Sequence, residues 1–528
     1  MRGFLDETYD RQLKILSYID NKKKVVTIKQ ISDDTNLSEK TVLQIIRRFE
    51  QELTFTDHQF QIIHSNKSIR GIYAENLDLM EIASGYVKKS VLYKMIRNIF
   101  LYEKVDVKKF CEVEYISPPT FSRYRQQLIA ILEQFGLKLT RENQIHGDEM
   151  KIRNFFYQFF SHSSSEWEFS LQEYREIETY IYKQINTWQA NNKIKQRKIC
   201  LLVYISNVRS SQKHYCENDI MTQLTKRLNM DYQSDYAYLN GLFGYFLSKK
   251  NRTVEQVWSE LAFIQLFLYI EDLSDETIDY DNYEAYFSEQ NFPFIEQSNL
   301  LTKKIIATFF SEMDSTDKKL FLQIRQEIDK MHLVLSGFYI DSRIFYYVYD
   351  HANFYYRDKV ESEIFEHVKR IVAELIEEPR YQPLWNQLKR NTNEEAFINY
   401  LYLIIYALVS KLQQYTYKTV NVMVQNSKLF IEGIISNKLM LIFGDRIQLV
   451  DGFRNNPDIL ITDVHLPDTP KQTKELFVSS FSDLIDFNSA VDGIKKEIIN
   501  QYNQRVVRNN SINVHLEVAS LNSCTHEK

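Results

Sequence analysis

Apolar and polar positions follow the same spacing in two stretches of the chain, 27–53 and 106–132. The stretches read TIKQISDDTNLSEKTVLQIIRRFEQEL and DVKKFCEVEYISPPTFSRYRQQLIAIL, and they align without a gap at an offset of 79 residues. Each opens with a residue that can cap a helix, Thr27 in one and Asp106 in the other. In each copy the spacing predicts a short capped helix, a tight turn and a longer helix.

The longer helix of each copy is predicted to have two different faces. One face is an apolar stripe that anchors the helix to its scaffold, and it consists of Val42, Ile45, Ile46, Phe49 and Leu53 in the first copy and of Phe121, Tyr124, Leu128, Ile131, Leu132 and Phe135 in the second. The other face is polar and suits hydrogen bonds to base edges and phosphates in a DNA major groove. We predict DNA contacts for Lys40, Thr41, Gln44, Arg47, Arg48, Thr120, Ser122, Arg123, Gln126 and Gln127.

A short β-patterned stretch with a glycine near its end follows each longer helix, at 60–71 and at 137–147. Both stretches predict hairpins, which would be the wings of winged helix-turn-helix units. Lys67 and Arg70 in the first hairpin are predicted to reach DNA. A further helix is predicted ahead of each unit, over 9–19 and 89–102. One such pattern is weak evidence, because any two amphipathic helices joined by a short turn can mimic it. Two copies, each with a leading helix and a trailing hairpin, favour DNA binding over a helical repeat without a ligand.

From about residue 170 to 410 the chain carries long helical patterns, preceded by a linker at 162–167 and interrupted near 291–293 and 377–383. Two helical bundles are the prediction for this region. His214 and His332 have similar places, since each follows a helical run that carries an arginine. Spacing alone favours surface or cap positions for both. The region has no glycine loop for phosphate, no HExxH and no nucleophile elbow, so no enzyme, metal or cofactor is expected.

The C-terminal part alternates β-rich and helical patterns. Strands are predicted at 419–425, 445–450 and 457–464, with a helix near 427–441. This alternation indicates a small α/β domain with a partly parallel sheet. Beyond about residue 505 the pattern fades, and we expect a loose tail.

Composition refines this picture without changing it. The chain has 528 residues with only 12 glycines and 8 prolines, but 35 tyrosines and 34 phenylalanines, so we expect long helices and a mainly α fold. Residues 1–160 hold 25 Lys+Arg against 21 Asp+Glu, and the remainder holds 40 against 49, which permits an N-terminal DNA-binding half. Four separated cysteines, no signal peptide and no long apolar span together predict a cytoplasmic protein with unpaired thiols and no membrane segment.

The order of these parts resembles that of the Mga/AtxA-type virulence transcription regulators of Gram-positive bacteria. The stretches that carry the resemblance are 31–53, 115–128 and IHGDEMKIRNFFYQFF at 145–160. It extends over essentially the whole chain. The implied domains are a winged helix-turn-helix at 1–75, a second one at 76–165, helical regulation domains at 166–290 and 291–412, an enzyme IIB-like α/β domain at 413–510 and a tail at 511–528.

What the resemblance implies goes beyond the fold. In such regulators the helical bundles are regulation domains of the sugar phosphotransferase system (PTS), so His214 and His332 are expected to be phosphorylated by its phosphocarrier proteins. An enzyme IIB domain transfers phosphate through a cysteine after its first strand, but here that loop is Gln425-Asn426-Ser427. The C-terminal domain is therefore expected to be non-catalytic and to serve a homodimer. The expected partners are double-stranded promoter DNA and the phosphocarriers.

Two other functions remain open from the residues alone. One is a phosphorylation-controlled interaction protein without DNA binding, which the polar recognition faces disfavour. The other is an antiterminator that binds nascent RNA, but such proteins begin with a small β-rich module, whereas this N-terminus is predicted to be helical.

Overall fold

The structure of the chain is a computed structural model. It describes residues 2–22, 24–53, 55, 59–65, 68–163, 167–182, 193–216, 237–249, 252–270, 294–310, 318–337, 359–390, 392–411, 419–427, 430–466, 469–478 and 487–498. These residues fall into two compact units. The first comprises those within Met1–Asp279, Leu333–Tyr356 and Gln387–Asn393, and the second those within Tyr280–His332, Arg357–Asn386 and Glu394–Lys528.

The first sequence copy forms a helix-turn-helix with a hairpin behind it. After a short 3-10 turn at Arg2–Phe4, its elements are α1 (Glu7–Lys22), α2 (Ile28–Thr35), α3 (Glu39–Glu52), β1 (Phe60–Ser65) and β2 (Ser68–Ala74). Thr27 and Gln30 form a reciprocal capping box at the start of α2, and Ser38 caps α3. The two strands are antiparallel, as predicted for a wing.

Gly71 explains how the wing joins the helices. A single antiparallel bridge pairs Val26 with Ile72, and a Cβ on Gly71 would lie 2.5 Å from the Val25 side chain. Any larger residue at position 71 would force the Val25 side chain to move, so glycine suits this close approach. The stripe of α3 packs against α1 and the hairpin in one core, which includes Ile15, Leu16, Ile19, Ile31, Val42, Ile46, Phe49, Phe60 and Ile72.

The second copy repeats this plan with an extra helix in front. Its elements are α4 (Leu79–Lys89), α5 (Val91–Tyr102), α6 (Val107–Glu114), α7 (Pro118–Gln134), β3 (Lys138–Leu139), β4 (Ile145–His146) and α8 (Glu149–Ser163). The sequence pattern predicted α5 but missed α4. Ser90 separates the two helices, because it ends α4 and its hydroxyl caps α5 by accepting from the Tyr93 amide. Pro118 and Pro119 occupy the first turn of α7, where the missing amide protons cost little.

The described residues between α8 and residue 270 are mainly helical, as predicted. The described helices are α9 (Leu171–Tyr182), α10 (Lys193–Ser211), α11 (Ala237–Ser248) and α12 (Val254–Ile270). Helix α9 packs on α11, and α10 packs on α8 of the preceding copy. Three of the four cysteines, Cys111, Cys200 and Cys216, are unpaired and buried, and Cys524 lies outside the described residues.

The helices that follow are α13 (Ile295–Phe309), α14 (Lys318–Gly337), α15 (Lys359–Glu377), α16 (Gln382–Leu388) and α17 (Glu394–Lys411). The interruption predicted at 377–383 is the turn between α15 and α16, whereas the one at 291–293 falls outside the described residues. Among the helices that the structure describes, none is both long and apolar enough to cross a membrane.

A four-stranded sheet forms the C-terminal part of the second unit. Its elements are β5 (Val420–Gln425), α18 (Ile431–Phe443), β6 (Ile447–Leu449), β7 (Ile459–Thr462) and β8 (Lys474–Phe477), with 3-10 turns at Gly444–Arg446 and Phe453–Asn455 and a helical stretch at 487–498. The strand order is β6-β5-β7-β8, and every described pairing is parallel. Strand β8 was not predicted, because KELF carries no apolar run. The proposed tail lies outside the described residues.

Candidate nucleic-acid interface

Helix α3 presents a polar face to solvent and buries its apolar stripe. Val42, Ile46 and Phe49 are almost fully buried. Four of the predicted contact residues are exposed on the same helix, namely Lys40, Gln44, Arg47 and Arg48. The fifth, Thr41, is half-buried. Its amide donates to the Ser38 hydroxyl, and its own hydroxyl lies 2.8 Å from that oxygen. Thr41 therefore belongs to the helix cap as well as to the polar face.

Helix α7 repeats this arrangement with different side chains. Phe121, Leu128 and Leu132 are buried. The predicted contact residues Ser122, Arg123, Gln126 and Gln127 are exposed, and Thr120 lies beside the capping Ser117 as Thr41 lies beside Ser38. The structure thus holds two separate helices with the same division between an anchored and a free face. Among the described residues, Arg47, Arg48 and Arg123 form no ion pair, so their charges remain available to a ligand.

Tyr124 behaves differently from the rest of the predicted apolar stripe. It is half-buried, and its hydroxyl donates to the Asp6 carboxylate over 2.7 Å. Burial, followed by the hydrogen bond to Asp6, raises the pKa of this phenol. The Arg123 guanidinium lies 5.2 Å from the centre of the Tyr124 ring, a distance that suits a cation–π contact. Tyr124 therefore holds Arg123 at the exposed edge of α7.

The two wings carry fewer predicted contacts. Arg70 is exposed on β2, but Lys67 lies outside the described residues. In the second wing, the guanidinium of Arg125 donates to Asn143 Oδ1 and to the Thr140 carbonyl, each over 2.8 Å. Sequence reasoning missed Arg125, because its position among the polar residues of α7 gave no sign that it binds the hairpin. It fastens the second hairpin to the recognition helix.

Two protein-family models match the N-terminal part of the chain. A model described as winged helix-turn-helix DNA-binding matches residues 10–52, which contain α2 and α3 and most of α1. The Mga helix-turn-helix domain matches residues 75–160, which run from α4 into α8. The chain carries a Mga-type helix-turn-helix domain. The matched residues include the second recognition helix and its wing, so the resemblance to Mga/AtxA-type regulators and the winged helix-turn-helix fold are both confirmed there.

The chain also has a curated relative. The capsule synthesis positive regulator AcpB of Bacillus anthracis is 24% identical over 168 residues, which are 31% of this chain and 34% of that protein. The chain thus aligns with about a third of the length of this relative.

The Mga-type domain contacts the helices that follow it through His214. This residue lies just after α10, its side chain is 37% exposed, and its Nε2 lies 2.9 Å from Glu103 Oε1 at the end of α5. Two residues before His214, the Gln212 side chain donates to the Phe100 carbonyl. Glu103 and Lys213 both have left-handed backbones, with φ values of 68° and 66°. The contact therefore joins two locally strained turns.

A buried charge network lies beneath this contact. Arg153 of α8 is fully buried and donates to both carboxylate oxygens of Glu260 on α12, over 2.6 and 2.9 Å. It also donates to the His214 carbonyl. Glu149 pairs with Arg153 and with Arg209 of α10. Burial alone would raise the pKa of Glu149, but hydrogen bonds and charge from the two arginines outweigh it and lower that pKa.

His332 does not occupy the surface or cap position that its spacing predicted. Helix α14 continues past it to Gly337, and the ring is fully buried. Its Nδ1 lies 2.9 Å from the Ser298 hydroxyl and its Nε2 lies 2.6 Å from the Tyr381 hydroxyl. Burial lowers its pKa to about 3, so the ring is neutral. The prediction that His332 and His214 have similar places is therefore wrong, because His214 follows α10 whereas His332 lies within α14.

Proposed function

We propose that this protein is a transcription regulator that binds duplex promoter DNA with α3 and α7. The observation that carries the proposal is the pair of exposed polar faces, each on a helix that is anchored by the opposite face and followed by a hairpin. A helix of this kind enters the major groove with its N-terminal residues towards the bases. The family matches to residues 10–52 and 75–160 support the same function.

The proposed contacts divide by chemistry. Arg47, Arg48 and Arg123 suit phosphates or guanine edges, and the glutamine, serine and threonine residues suit base edges and backbone oxygens. The full proposed set is Lys40, Thr41, Gln44, Arg47, Arg48, Thr120, Ser122, Arg123, Gln126, Gln127, Lys67 and Arg70. The helical front of the chain favours duplex DNA over the RNA of an antiterminator.

Substitution of Arg123 tests this function. The full-length Arg123→Ala protein should bind a duplex selected by the wild-type protein about tenfold more weakly, because an arginine contact to DNA is lost. If Arg123 meets a phosphate, the slope of log K against log salt should also flatten by about one. Fluorescence anisotropy at several salt concentrations measures both quantities.

Arg175→Ala is the matched control, because Arg175 is exposed on α9, away from both recognition helices in the sequence. It should bind like the wild type. Unchanged affinity and salt slope for both Arg123→Ala and Arg47→Ala would contradict the proposed interface, and selection of an RNA in place of a duplex would favour the antiterminator.

We further propose that PTS phosphocarrier proteins regulate DNA binding by phosphorylating His214. Its partly exposed ring is accessible, whereas His332 requires its helices to open first. A phosphoryl group adds nearly two negative charges, which would repel the Glu103 carboxylate 2.9 Å away. Glu103 lies three residues before Asp106, the residue that caps α6. Phosphorylation would therefore loosen the attachment of α10 next to the second helix-turn-helix.

We also propose a homodimer formed through the C-terminal domain. Phe430 at the start of α18 and Ile434 and Leu441 within it are large apolar side chains exposed to solvent. Ile434 and Leu441 are seven residues apart and thus lie on the same side of the helix. Exposed apolar clusters of this kind mark protein contacts, and two-fold dimers are the commonest assembly.

A further inference from the structure

Tyr115 occupies a backbone conformation that disfavours its side chain. It lies in the turn between α6 and α7 with φ 53° and ψ 41°, the left-handed region. There the Cβ of an L residue crowds the following carbonyl oxygen, and bulky residues are rare. The equivalent residue of the first copy is Asn36, with φ 56° and ψ 36°, and asparagine tolerates this region. The same turn thus carries a suitable residue in one copy and an unsuitable one in the other.

Packing within the chain does not offset this strain. The Tyr115 side chain is 95% exposed, more than any other large apolar or aromatic side chain that the structure describes as exposed. Among the described residues, its ring makes no aromatic contact and its hydroxyl makes no hydrogen bond. Backbone strain that no contact within the chain offsets indicates that the Tyr115 side chain contacts a ligand.

The location of Tyr115 identifies the ligand. It lies two residues before Ser117, which caps the recognition helix α7. In a bound helix-turn-helix, the recognition helix points its N-terminal residues into the groove while the helix before it crosses the backbone, so the turn between them lies near the sugar–phosphate backbone. Tyrosine hydroxyls are among the common donors to phosphate oxygens, and the ring offers a flat surface to the sugar. The neighbouring Glu114 is paired with Lys94, so its charge is compensated.

We infer that Tyr115 is a DNA-backbone contact that positions α7 in the groove. The inference rests on the proposed DNA binding and adds a residue that the polar-face pattern does not include. Folding and binding then favour different residues at this turn, because asparagine suits the backbone conformation whereas tyrosine suits the contact with DNA.

The test uses full-length protein and a fluorescent duplex selected by the wild-type chain. Tyr115→Asn installs the residue of the first copy, so it should raise the Tm of the chain by about 2 °C as the backbone strain is relieved. It should also weaken DNA binding about five- to tenfold. The salt slope should stay unchanged, because a neutral phenol releases no counterion. Tyr115→Phe should retain the ring contact and lose about threefold in affinity.

Tyr102→Asn is the matched control, since Tyr102 is 68% exposed at the end of α5, in the helix before α6 and outside the turn between α6 and α7. It should leave DNA affinity unchanged. Wild-type affinity in Tyr115→Asn, in a protein series where Arg123→Ala binds weakly, would overturn the contact while the regulator function stands. A fall in both Tm and affinity would assign Tyr115 a structural role and overturn the inference too. A wild-type chain that selects no duplex would refute the proposed function itself.

Discussion

His332 illustrates what a single residue gains from its surroundings. Its ring is held between the Ser298 and Tyr381 hydroxyls from two other segments, and no water-exposed surface remains. Sequence spacing matched it with His214, because both follow helical runs with an arginine. Spacing along one helix does not reveal which other helices cover a position, so this difference was not predictable from the pattern.

Acid should destabilise the second unit through His332. The unfolded histidine takes up a proton below about pH 6.5, whereas the folded ring stays neutral down to about pH 3. The pKa of His332 is thus lower in the folded chain than in the unfolded chain. The contribution of the neutral ring to the free energy of unfolding is complete above pH 6.5 and is lost as the pH falls towards 3. The loss is about 1.4 kcal/mol per pH unit in that window.

Thermal unfolding of the full-length chain at pH 7 and pH 5 measures this effect. The His332→Gln protein should lose less stability between the two pH values than the wild type. His146→Gln, which removes an exposed histidine, should behave as the wild type does. An equal acid loss in wild type and His332→Gln would show that the buried ring is not the cause.

At the scale of elements, the recognition helices were the most predictable part of the fold. Each has a capping serine, an apolar stripe and a polar face, and these local signals agree with one another. The signals fail where a boundary depends on one residue or on a distant partner. Helix α4 was missed ahead of Ser90, which ends α4 and caps α5, and β8 forms a strand by pairing with β7. Arg125 likewise reveals its role only through Asn143 and Thr140.

Helix α18 is the element on which the proposed homodimer depends, because its apolar side chains Ile434 and Leu441 are exposed. Leu441→Glu should convert a dimer into a monomer, because a charge in an apolar interface is left without a partner. Sedimentation velocity of the full-length protein over a tenfold concentration range measures the change. Leu171→Glu, at an exposed leucine of α9, should leave the dimer intact. A Leu441→Glu protein that still sediments as a dimer would remove α18 from the interface.

At the scale of the whole molecule, the contact between His214 and Glu103 is the proposed link between sensing and DNA binding. The sequence identified His214 as a candidate, but it gave no indication that its ring meets a residue 111 positions earlier in the chain. Long-range contacts of this kind are set by how helices pack, and a single sequence holds no direct record of them.

His214→Asp should imitate part of the effect of phosphorylation. Its carboxylate would face Glu103 and weaken the contact between α10 and α5. Amide hydrogen exchange at 103–106 should rise, and the affinity for the selected duplex should change with it. His214→Asn retains a hydrogen-bond donor and should resemble the wild type. Identical exchange and identical affinity in both variants would separate this contact from DNA binding.

The contacts of Arg153 also determine where the chain can be truncated without loss of the DNA-binding fold. The Mga-type match ends at residue 160, but the guanidinium of Arg153 depends on Glu260 and on the His214 carbonyl, both far beyond that point. A fragment cut at 160 would keep the arginine and discard those partners, which is costly for a charge in a protein interior. The smallest self-sufficient DNA-binding piece should therefore extend through α12, although Gln127 of α7 is the last proposed contact residue along the chain.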